Sequence, residues 1–466
     1  MCFGAPHGPG CAIGRRSLLV ATAFAAGVVS APDAAAQVAP RQIVTIRDAE
    51  TENLLRRMAY PLMQAAGVDP ATVPMTLIRN GAVNAFVAQG NFLYLYTGLI
   101  QQAESAGEVA GVLAHEIGHV MGGHLARLPE QMRNAMLRSL GAMLLGGAAA
   151  AASGEPGAMA AGMLGGQAMA TNEFTAFTRT QEQSADQAAL DLLDQVGWSA
   201  RGLERLLERT VDKEQLVAGR QDPYFRTHPL SRDRLDFVRQ RAGRSRVAGA
   251  GMPAGIERSF VMVRAKLDGF IEPHAAVMRR YPASDTSAPA RYARAIGTFR
   301  AGRIDQALAM LRPLAAEAPS DPWLQELTGQ VLLQGQRPTE AARRYAEAVR
   351  LAPAEPLIRI GHARALGEIG NPAQLRLAAS ELETALRSER RSAFAWRQLA
   401  VVRGRLGETA LADLALAEEA LILQDARQAA ALARRAEAGL PAGAPRLRAQ
   451  DIVAAAENLP ARRRRW

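Results

Sequence analysis

The feature that most constrains this chain is the short pattern His115-Glu116-Ile117-Gly118-His119. Residues four apart lie on one face of an α-helix, so the two histidines can bind one metal ion. Glu116 projects about 100° further round the helix, where it can reach a water on the metal rather than the metal itself. Only 7 histidines occur in 466 residues, so a chance match, two solvated histidines on a surface helix, is rare. The pattern predicts a metal-binding helix.

The neighbouring residues favour a helix in this place. Ser105 and Glu108 have the spacing of a capping box, which predicts that the helix begins near residue 106. Apolar residues then recur every three or four positions, as on a helix face that packs into a core: Val109, Val112, Leu113, Ile117 and Val120. Gly122 and Gly123 are expected to end the helix. His124 lies off the stripe of the histidine pair, which indicates a structural or solvated residue.

A third metal ligand is expected further along, because a catalytic zinc usually takes three protein side chains and keeps one position for water. The segment Phe177–Asp191 has a helical pattern and carries Glu182 and Asp186, again four apart. Glu182 can complete a His-His-Glu set, and Asp186 can accept the free ring N–H of a ligand histidine. Two acids on a helix usually form only a solvated face. The preceding histidine pair favours the metal site.

Three motifs in this order carry a family resemblance: H-E-I-G-H, T-R-T-Q-E-Q-S-A-D at residues 178–186, and T-H-P-L-S-R-D-R-L at residues 227–235. They resemble the metallopeptidase family that includes the HtpX heat-shock membrane proteases and the CAAX prenyl proteases. The likeness is greatest to the soluble periplasmic branch of that family, which has a helical-repeat tail. The similarity covers about residues 47–241. Thr178 and Ser184 depart from the usual family pattern, but neither is a proposed ligand.

The resemblance implies one Zn²⁺ ion held by His115, His119 and Glu182. It also implies Glu116 as the catalytic base and His228 as a catalytic residue near the metal. Pro229 disfavours a helical backbone at His228, which places His228 on a loop. Two roles stay open for His228: it can stabilise the oxyanion, or it can occupy the fourth zinc position and keep water out. The blocking role is favoured, because it gives an exported protease a closed resting state.

The first 36 residues have the pattern of an export signal. Arg15 and Arg16 precede an apolar run at residues 18–29, and a small-residue cleavage site follows at residues 34–36. The arginine pair also permits a twin-arginine signal. The only two cysteines, Cys2 and Cys11, lie before the apolar run, so the mature chain is expected to lack disulfides. We therefore expect a periplasmic protein.

A small sheet is predicted just before the metal helix. Residues 47–66 have a helical pattern, and strands are expected at residues 75–79, 85–88 and 92–96, the last two joined as a hairpin. The edge of this sheet can pair with an extended substrate peptide, or the sheet can simply support the helix. Leu140–Ala170, apolar but interrupted at Pro156, is interpreted as a helical hairpin or flap. Peripheral membrane contact there stays open.

The second half of the chain contains a repeat. Ala307 and Ala341 are 34 residues apart, as are Pro319 and Pro353, and residues 289–424 resemble four tetratricopeptide repeats. Such a solenoid presents a groove for protein segments. The predicted division is a signal at 1–36, a protease domain at 37–242, a linker and connecting helix at 243–287, repeats at 288–445 and a basic tail at 446–466.

The expected fold class is mainly α: an α+β protease domain with a small sheet, followed by an α-solenoid. The net charge of +10 comes almost wholly from scattered arginines, so no nucleic-acid partner is expected. Resemblance to the periplasmic branch implies a zinc endopeptidase in envelope quality control, acting on unfolded or outer-membrane proteins and docking to their assembly machinery through the repeats. The alternative is a chaperone or assembly adaptor whose protease activity is latent.

Overall fold

The computed structural model of the protein describes residues 43–88, 90–124, 156–216, 228 and 232–459, with scattered positions between 126 and 144. For residues 156–174, 176 and 212–216 only the backbone is described. The expected signal and the terminal arginine run lie outside this part of the chain, as do Thr227 and Pro229. The architecture is mainly helical with one small sheet, which confirms the predicted fold class.

The sheet has four strands, β1 (Thr45–Ile46), β2 (Met75–Ile78), β3 (Ala85–Ala88) and β4 (Phe92–Tyr96), in the order β1-β2-β4-β3. β3 and β4 are antiparallel, as the predicted hairpin requires, and β2 is parallel to β4. Alternate residues of β4 face the core, so Leu93 and Leu95 are fully buried. The sequence did not predict β1, because two residues are too few to show an alternating pattern.

Three helices pack on the sheet: α1 (Ala49–Ala65), α2 (Thr97–Gln102) and α3 (Ala106–Met121). Every residue of α3 from Ala106 to Gly118 is buried, so this helix runs through the core of the first half of the chain. At Gly118 an added Cβ would lie 2.8 Å from the carbonyl oxygen of Ala185. The glycine inside the histidine pattern therefore allows a neighbouring helix to pack directly on α3.

The start of α3 at Ala106 agrees with the expected start, but the predicted capping box does not form. The side chain of Ser105 makes no capping hydrogen bond. Instead the carboxylate of Glu257 accepts a hydrogen bond from the Ala106 N–H at 3.1 Å. Glu108 is fully buried and is bound by the guanidinium of Arg209 at 2.7 and 2.8 Å. Tertiary contacts have replaced the local cap, because Glu108 has a stronger, charged partner.

The helix that packs on Gly118 is α4 (Pro156–Gln195), 40 residues long. The second half of the expected hairpin or flap, from Pro156, is helical, and this helix, α4, continues to the predicted third ligand, while residues 151–155 between the two halves lie outside the described part of the chain. Proline fits here because the first turn of a helix needs no N–H donor. Among the described helices, none is both long and apolar enough to span a membrane.

The next helices are α5 (Arg201–Leu216), α6 (Arg232–Arg244), α7 (Ala254–Ile271) and α8 (His274–Arg280). The sequence placed α7 in a connecting region outside the protease domain. The structure instead places its apolar face inside the same core as the sheet and α3, with four residues buried there: Ile256, Phe260, Val263 and Leu267. α7 also packs against the first repeat helix, so it belongs to both halves of the molecule.

Ten helices follow in sequence: α9 (Ala288–Arg300), α10 (Ile304–Glu317), α11 (Pro322–Gln334), α12 (Pro338–Leu351), α13 (Pro356–Ile369), α14 (Pro372–Ser388), α15 (Ala393–Arg405), α16 (Thr409–Ile422), α17 (Ala426–Gly439) and α18 (Ala444–Glu457). They form five helix pairs where four repeats were predicted. The predicted tail at 446–466 is too long, because α18 buries Ile452 and Ala456 against its neighbours. The ring of Tyr345 packs against Gly329 and Gly361, where an added Cβ would lie 2.8 and 2.5 Å from it.

A buried ionic cluster joins the two halves of the molecule. Lys266 of α7 is 1% exposed, and its Nζ lies 2.7 Å from Asp48, 3.3 Å from Glu50 and 3.3 Å from Glu326. The hydroxyl of Tyr292 donates to Glu50 at 2.9 Å. Asp48 and Glu50 lie at the start of α1, whereas Tyr292 and Glu326 belong to repeat helices. Three carboxylates therefore share one ammonium group at the junction.

The first helix makes further contacts with the repeats. Glu355 accepts hydrogen bonds from Asn53 at 2.7 Å and from Arg56 at 2.6 and 2.8 Å. Arg47, just before α1, donates to Glu389 at 2.7 and 2.9 Å. α1 thus packs on the sheet with one face and is bound by the repeats along another.

We expect the stability of the junction to fall as pH rises from about 5 to about 7.5. Burial raises the pKa of Glu50 to about 7 from its usual value of 4.5, outweighing the lowering by Lys266. Between these pH values the folded state therefore binds more protons than the unfolded state. The stability that comes from this bound proton is lost as pH rises through the pKa of the folded state. Glu50→Gln should make the free energy of unfolding less dependent on pH. A pKa shift of this size limits the contribution of Glu50 to about 3 kcal/mol.

Melting temperatures of the wild type and Glu50→Gln, measured across this pH range, test the expectation. Burial also raises the pKa of Glu326, which acts in the same direction, so the variant should reduce the slope without abolishing it. Parallel curves for the two proteins would contradict the assignment to Glu50.

Candidate metal centre

The buried face of α3 presents the histidine pair. His115 is fully buried, and its Nε2 atom lies 3.1 Å from Nε2 of His119. The two rings point at the same space because they are one helical turn apart. Glu116 is 1% exposed and follows on the adjacent side of the helix.

α4 and a loop residue bring two more groups to this space. Oε2 of Glu182 lies 3.4 Å from Nε2 of His115, and Oε1 lies 3.4 Å from Nε2 of His119. Nδ1 of His228 lies 3.3 Å from Nε2 of His115 and 3.2 Å from Oε1 of Glu182. One atom from each of these four side chains lies within 4.8 Å of all the others.

These separations fit a tetrahedral metal ion. Four ligand atoms about 2.0–2.1 Å from a zinc ion are about 3.3–3.4 Å from one another. Three of the four groups are the predicted ligands His115, His119 and Glu182, and the fourth is His228, the loop residue with two open roles. The donor set of three imidazoles and one carboxylate is one that zinc prefers.

Glu116 lies beside this group but has no hydrogen-bonding partner. Both carboxylate oxygens are buried, and neither accepts a hydrogen bond from the described part of the chain. Oε1 lies 3.3 Å from Nε2 of His228, at an angle that forms no hydrogen bond. Buried carboxylates normally have partners, so the oxygens of Glu116 are available to accept a proton or a hydrogen bond at this centre.

Asp186 contacts the ring nitrogen of His115 that faces away from the ligand cluster. Its Oδ1 lies 2.9 Å from Nδ1 of His115, on the far side of the ring from the ligand cluster. Burial alone would lower the pKa of His115, but Asp186 and Glu182 outweigh it and raise the pKa to about 10 in the metal-free site. The surrounding groups hold the pKa of Glu182 well below its usual range despite burial. The site therefore favours a cation.

Comparison with known proteins agrees with this geometry. Residues 46–242 match the sequence profile of Peptidase family M48. These residues form an M48 peptidase domain. The matched region contains all four groups of the cluster, Glu116 and Asp186.

The proteins of similar sequence include several bacterial proteases. The chain is 29% identical over 308 residues to the beta-barrel assembly-enhancing protease of Escherichia coli K12, covering 64% of this chain and 61% of that protein. It is 32% identical over 202 residues to a putative beta-barrel assembly-enhancing protease of Vibrio cholerae, covering 42% and 40%. It is 34% identical over 161 residues to metalloprotease LoiP of Escherichia coli, covering 34% and 58%. The chain therefore spans less than two thirds of each of these proteins.

One charged residue of the M48 domain was not predicted from the sequence. Arg234 of α6 is 2% exposed and donates to both oxygens of Asp186 at 2.7 and 2.9 Å. Its third nitrogen lies 2.8 Å from Oε2 of Glu182. One guanidinium thus holds two carboxylates that face His115. The only signal in the sequence was its position six residues after His228, in the same motif.

His124 is also closer to the M48 centre than expected. It is 7% exposed rather than solvated, and its Nδ1 lies 2.9 Å from Nδ1 of His119. Burial and the neighbouring His119 lower its pKa to about 4, so it stays neutral and can orient the ring of His119. An added Cβ at Gly122 would lie 2.2 Å from His124, so only glycine leaves room for this ring.

Proposed function

We propose that this chain is a zinc-dependent endopeptidase. The observation that carries the proposal is the group of four ligand atoms, all within 4.8 Å of one another, beside the buried carboxylate of Glu116, which accepts no hydrogen bond from the described residues. A scaffold needs no base next to a ligand set, whereas hydrolysis needs both.

His115, His119 and Glu182 would hold the zinc ion. When bound, zinc lowers the pKa of a water molecule and polarises the scissile carbonyl. Glu116 takes a proton from the attacking water onto its carboxylate and passes it to the leaving amine nitrogen. Oδ1 of Asp186 lies 2.9 Å from Nδ1 of His115, and this charged contact helps to keep Nε2 directed into the site.

β3 is suited to present the substrate peptide. It forms one edge of the sheet, and the carbonyl oxygen of Ala85, its first residue, lies 3.3 Å from Nε2 of His228. An extended peptide paired with this edge would pass beside the ligand cluster. This placement supports a substrate-binding role for the sheet in addition to its packing against α3.

We further propose that the enzyme acts in the periplasm on unfolded or outer-membrane proteins and docks to their assembly machinery through the repeats. The names of the Escherichia coli and Vibrio cholerae relatives support this setting. A latent chaperone or adaptor is the second candidate, and the place of His228 among the ligand atoms favours it, since a centre closed by a fourth ligand would not cleave.

Removing the metal should abolish cleavage. We expect the purified mature chain to contain about one zinc ion and to cleave an unfolded β-barrel protein. Chelation should stop cleavage, and added zinc should restore it, because Glu116 alone cannot activate water enough. Metal analysis and gel-based cleavage test this. Cleavage that survives complete removal of the metal would contradict a metallopeptidase.

The role of His228 can be decided by His228→Ala. As a blocking ligand, its loss leaves three zinc ligands and frees the fourth position, so basal cleavage and self-cleavage should rise. As an oxyanion partner, its loss should lower cleavage by about 10²-fold or more. The 3.2 Å and 3.3 Å separations of its Nδ1 from the ligand atoms favour the blocking role. Unchanged cleavage and zinc content would exclude both roles.

A further inference from the structure

A second cleft lies away from the metal centre, between the sheet and the repeats. It has a volume of about 380 Å³ and is lined on one side by the chain from Val44 to Ala49 and on the other by side chains of α11, α12, α13 and α15. Its apolar lining includes Leu357, Ile360 and Phe394. The volume falls within the range of about 300–1,000 Å³ that is usual for ligand pockets.

β1 gives this cleft a free strand edge. Within the described part of the chain, β1 is the terminal strand of the sheet, paired only with β2. The Arg79 N–H donates to the Val44 carbonyl, so Val44 and Arg79 form a hydrogen-bonded pair. Because such pairs alternate in an antiparallel ladder, the next pair, Thr45 and Ile78, is not hydrogen-bonded across the strands. The N–H and carbonyl of Thr45 therefore point away from β2.

The residues at this edge are exposed despite being apolar. Ile43 is 74% exposed and Val44 is 45% exposed, and Thr45 beside them is also exposed. An exposed apolar strand edge is a template for pairing with another extended chain. The edge and the apolar wall formed by the repeats lie on the same cleft.

The charged side chains of the cleft favour a ligand that carries an acidic group. Arg47 is bound by two glutamates, and Asp48 and Glu326 both face Lys266. Arg364, by contrast, makes no ion pair within the described chain, and its guanidinium carbon lies 5.6 Å from the ring centroid of Phe394. An arginine held over an aromatic ring with its donors free is suited to bind a carboxylate.

We propose that this cleft is a second peptide-binding site, which takes an extended apolar segment carrying one carboxylate. The segment adds to the outer edge of β1 through the backbone of Thr45, packs on Leu357, Ile360 and Phe394, and places its carboxylate at Arg364. The proposal rests on the proposed function, because it assigns the site that holds an unfolded substrate apart from the metal centre. β3 carries the scissile segment, and β1 holds a different part of the same chain.

Peptide binding to the full chain tests the proposal. The background is Glu116→Gln, so that binding is read without cleavage. The probes are fluorescein-labelled eight-residue peptides of alternating Thr and Val with one Asp at successive positions, each matched by an Asn peptide. Dissociation constants come from fluorescence anisotropy. The variants are Arg364→Gln and Arg364→Glu, with Arg387→Glu on the exposed surface of α14 as the charge control.

A second pair of variants tests the strand edge. Thr45→Pro removes the outward N–H without breaking the β1–β2 ladder, and edge strands tolerate proline. Thr45→Val keeps that N–H and serves as its control. Thermal melts of all variants establish that each is folded, and Arg364→Gln replaces Arg364→Glu if the latter is unstable.

We expect the best Asp peptide to bind about three- to tenfold more tightly than its Asn partner in the parent protein. Arg364→Gln should remove this preference, whereas Arg387→Glu should keep it. Thr45→Pro should weaken both peptides several-fold relative to Thr45→Val and leave the preference intact.

Three results would overturn the proposal: equal binding of Asp and Asn peptides to the parent, a preference that survives Arg364→Gln, or equal binding by the two Thr45 variants. Self-association that Thr45→Pro abolishes, seen by sedimentation, would assign the cleft to a second copy of the chain and also overturn it. Absence of cleavage by the wild type would count against the proposed function alone, since binding is measured separately.

Discussion

Glu116→Gln is expected to lower kcat/KM for peptide cleavage by about 10²–10⁴-fold, the usual contribution of a general base. The side chain is 1% exposed and its oxygens have no hydrogen-bonding partner in the described chain, so the substitution breaks no hydrogen bond among the described residues. Gln has the same shape but cannot accept the proton from water. The fold and the zinc content should therefore be unchanged while cleavage is lost.

The measurement is cleavage of an unfolded substrate, with zinc content and melting temperature determined on the same preparations. Glu104→Gln is the matched control, because Glu104 lies just before α3 and its side chain is 67% exposed. It should cleave at the wild-type rate. If Glu116→Gln also cleaves at that rate, Glu116 is not the base.

Lys266→Met is expected to lower the free energy of unfolding by about 3–5 kcal/mol, the usual cost of removing one partner from a buried ionic group. The substitution preserves the length of the side chain but leaves Asp48, Glu50 and Glu326 without a shared cation. Burial alone would lower the pKa of Lys266, yet these carboxylates raise it well above its usual value. Its stabilising contribution is lost only as pH rises through that high pKa, so it is fully present at pH 7.

Denaturant titration at pH 7 tests this prediction, with Arg258→Met on the exposed face of α7 as the control. The control should change stability by no more than about 0.5 kcal/mol. Adding Glu50→Gln to Lys266→Met should recover part of the loss, because Gln, unlike Glu50, does not have to take up a proton at pH 7 to be buried. Equal stabilities of Lys266→Met and the control would show that the cluster does not hold the two halves together.

Local patterns in the sequence predicted a large part of this structure. The histidine pair, its helix and the β3–β4 hairpin each depend on residues within a few positions of one another, and the structure has them where expected. Glu182 and Asp186 were found because they repeat the four-residue spacing on a second helix. The structure brings both to the histidines, although nothing in their own segment fixes that distance.

Features that depend on distant contacts were not predicted. Arg234 carries no sign in its own helix that it will hold Asp186, 48 positions away. The apolar face of α7 has a helical period, but the sequence does not show that this face enters the core of the first domain. The fifth helix pair was missed because its helices do not continue the 34-residue spacing of alanines in the earlier repeats. In each case the partner is chosen by tertiary packing rather than by local propensity.

The placement of α1 has a consequence for the order in which the molecule assembles. Arg47 meets Glu389 across a sequence separation of 342 residues, and Arg56 meets Glu355 across 299. Contacts of such high separation carry a large loop-closure cost and form late. α1 can therefore make these contacts only after the repeats that carry Glu355 and Glu389 have been synthesised and folded. Until they appear, its charged face stays in water, and the junction with Lys266 cannot close. The metal-binding core is thus expected to gain its final rigidity only after the repeats have folded, which couples the assembly of the metal centre to the folding of the repeats.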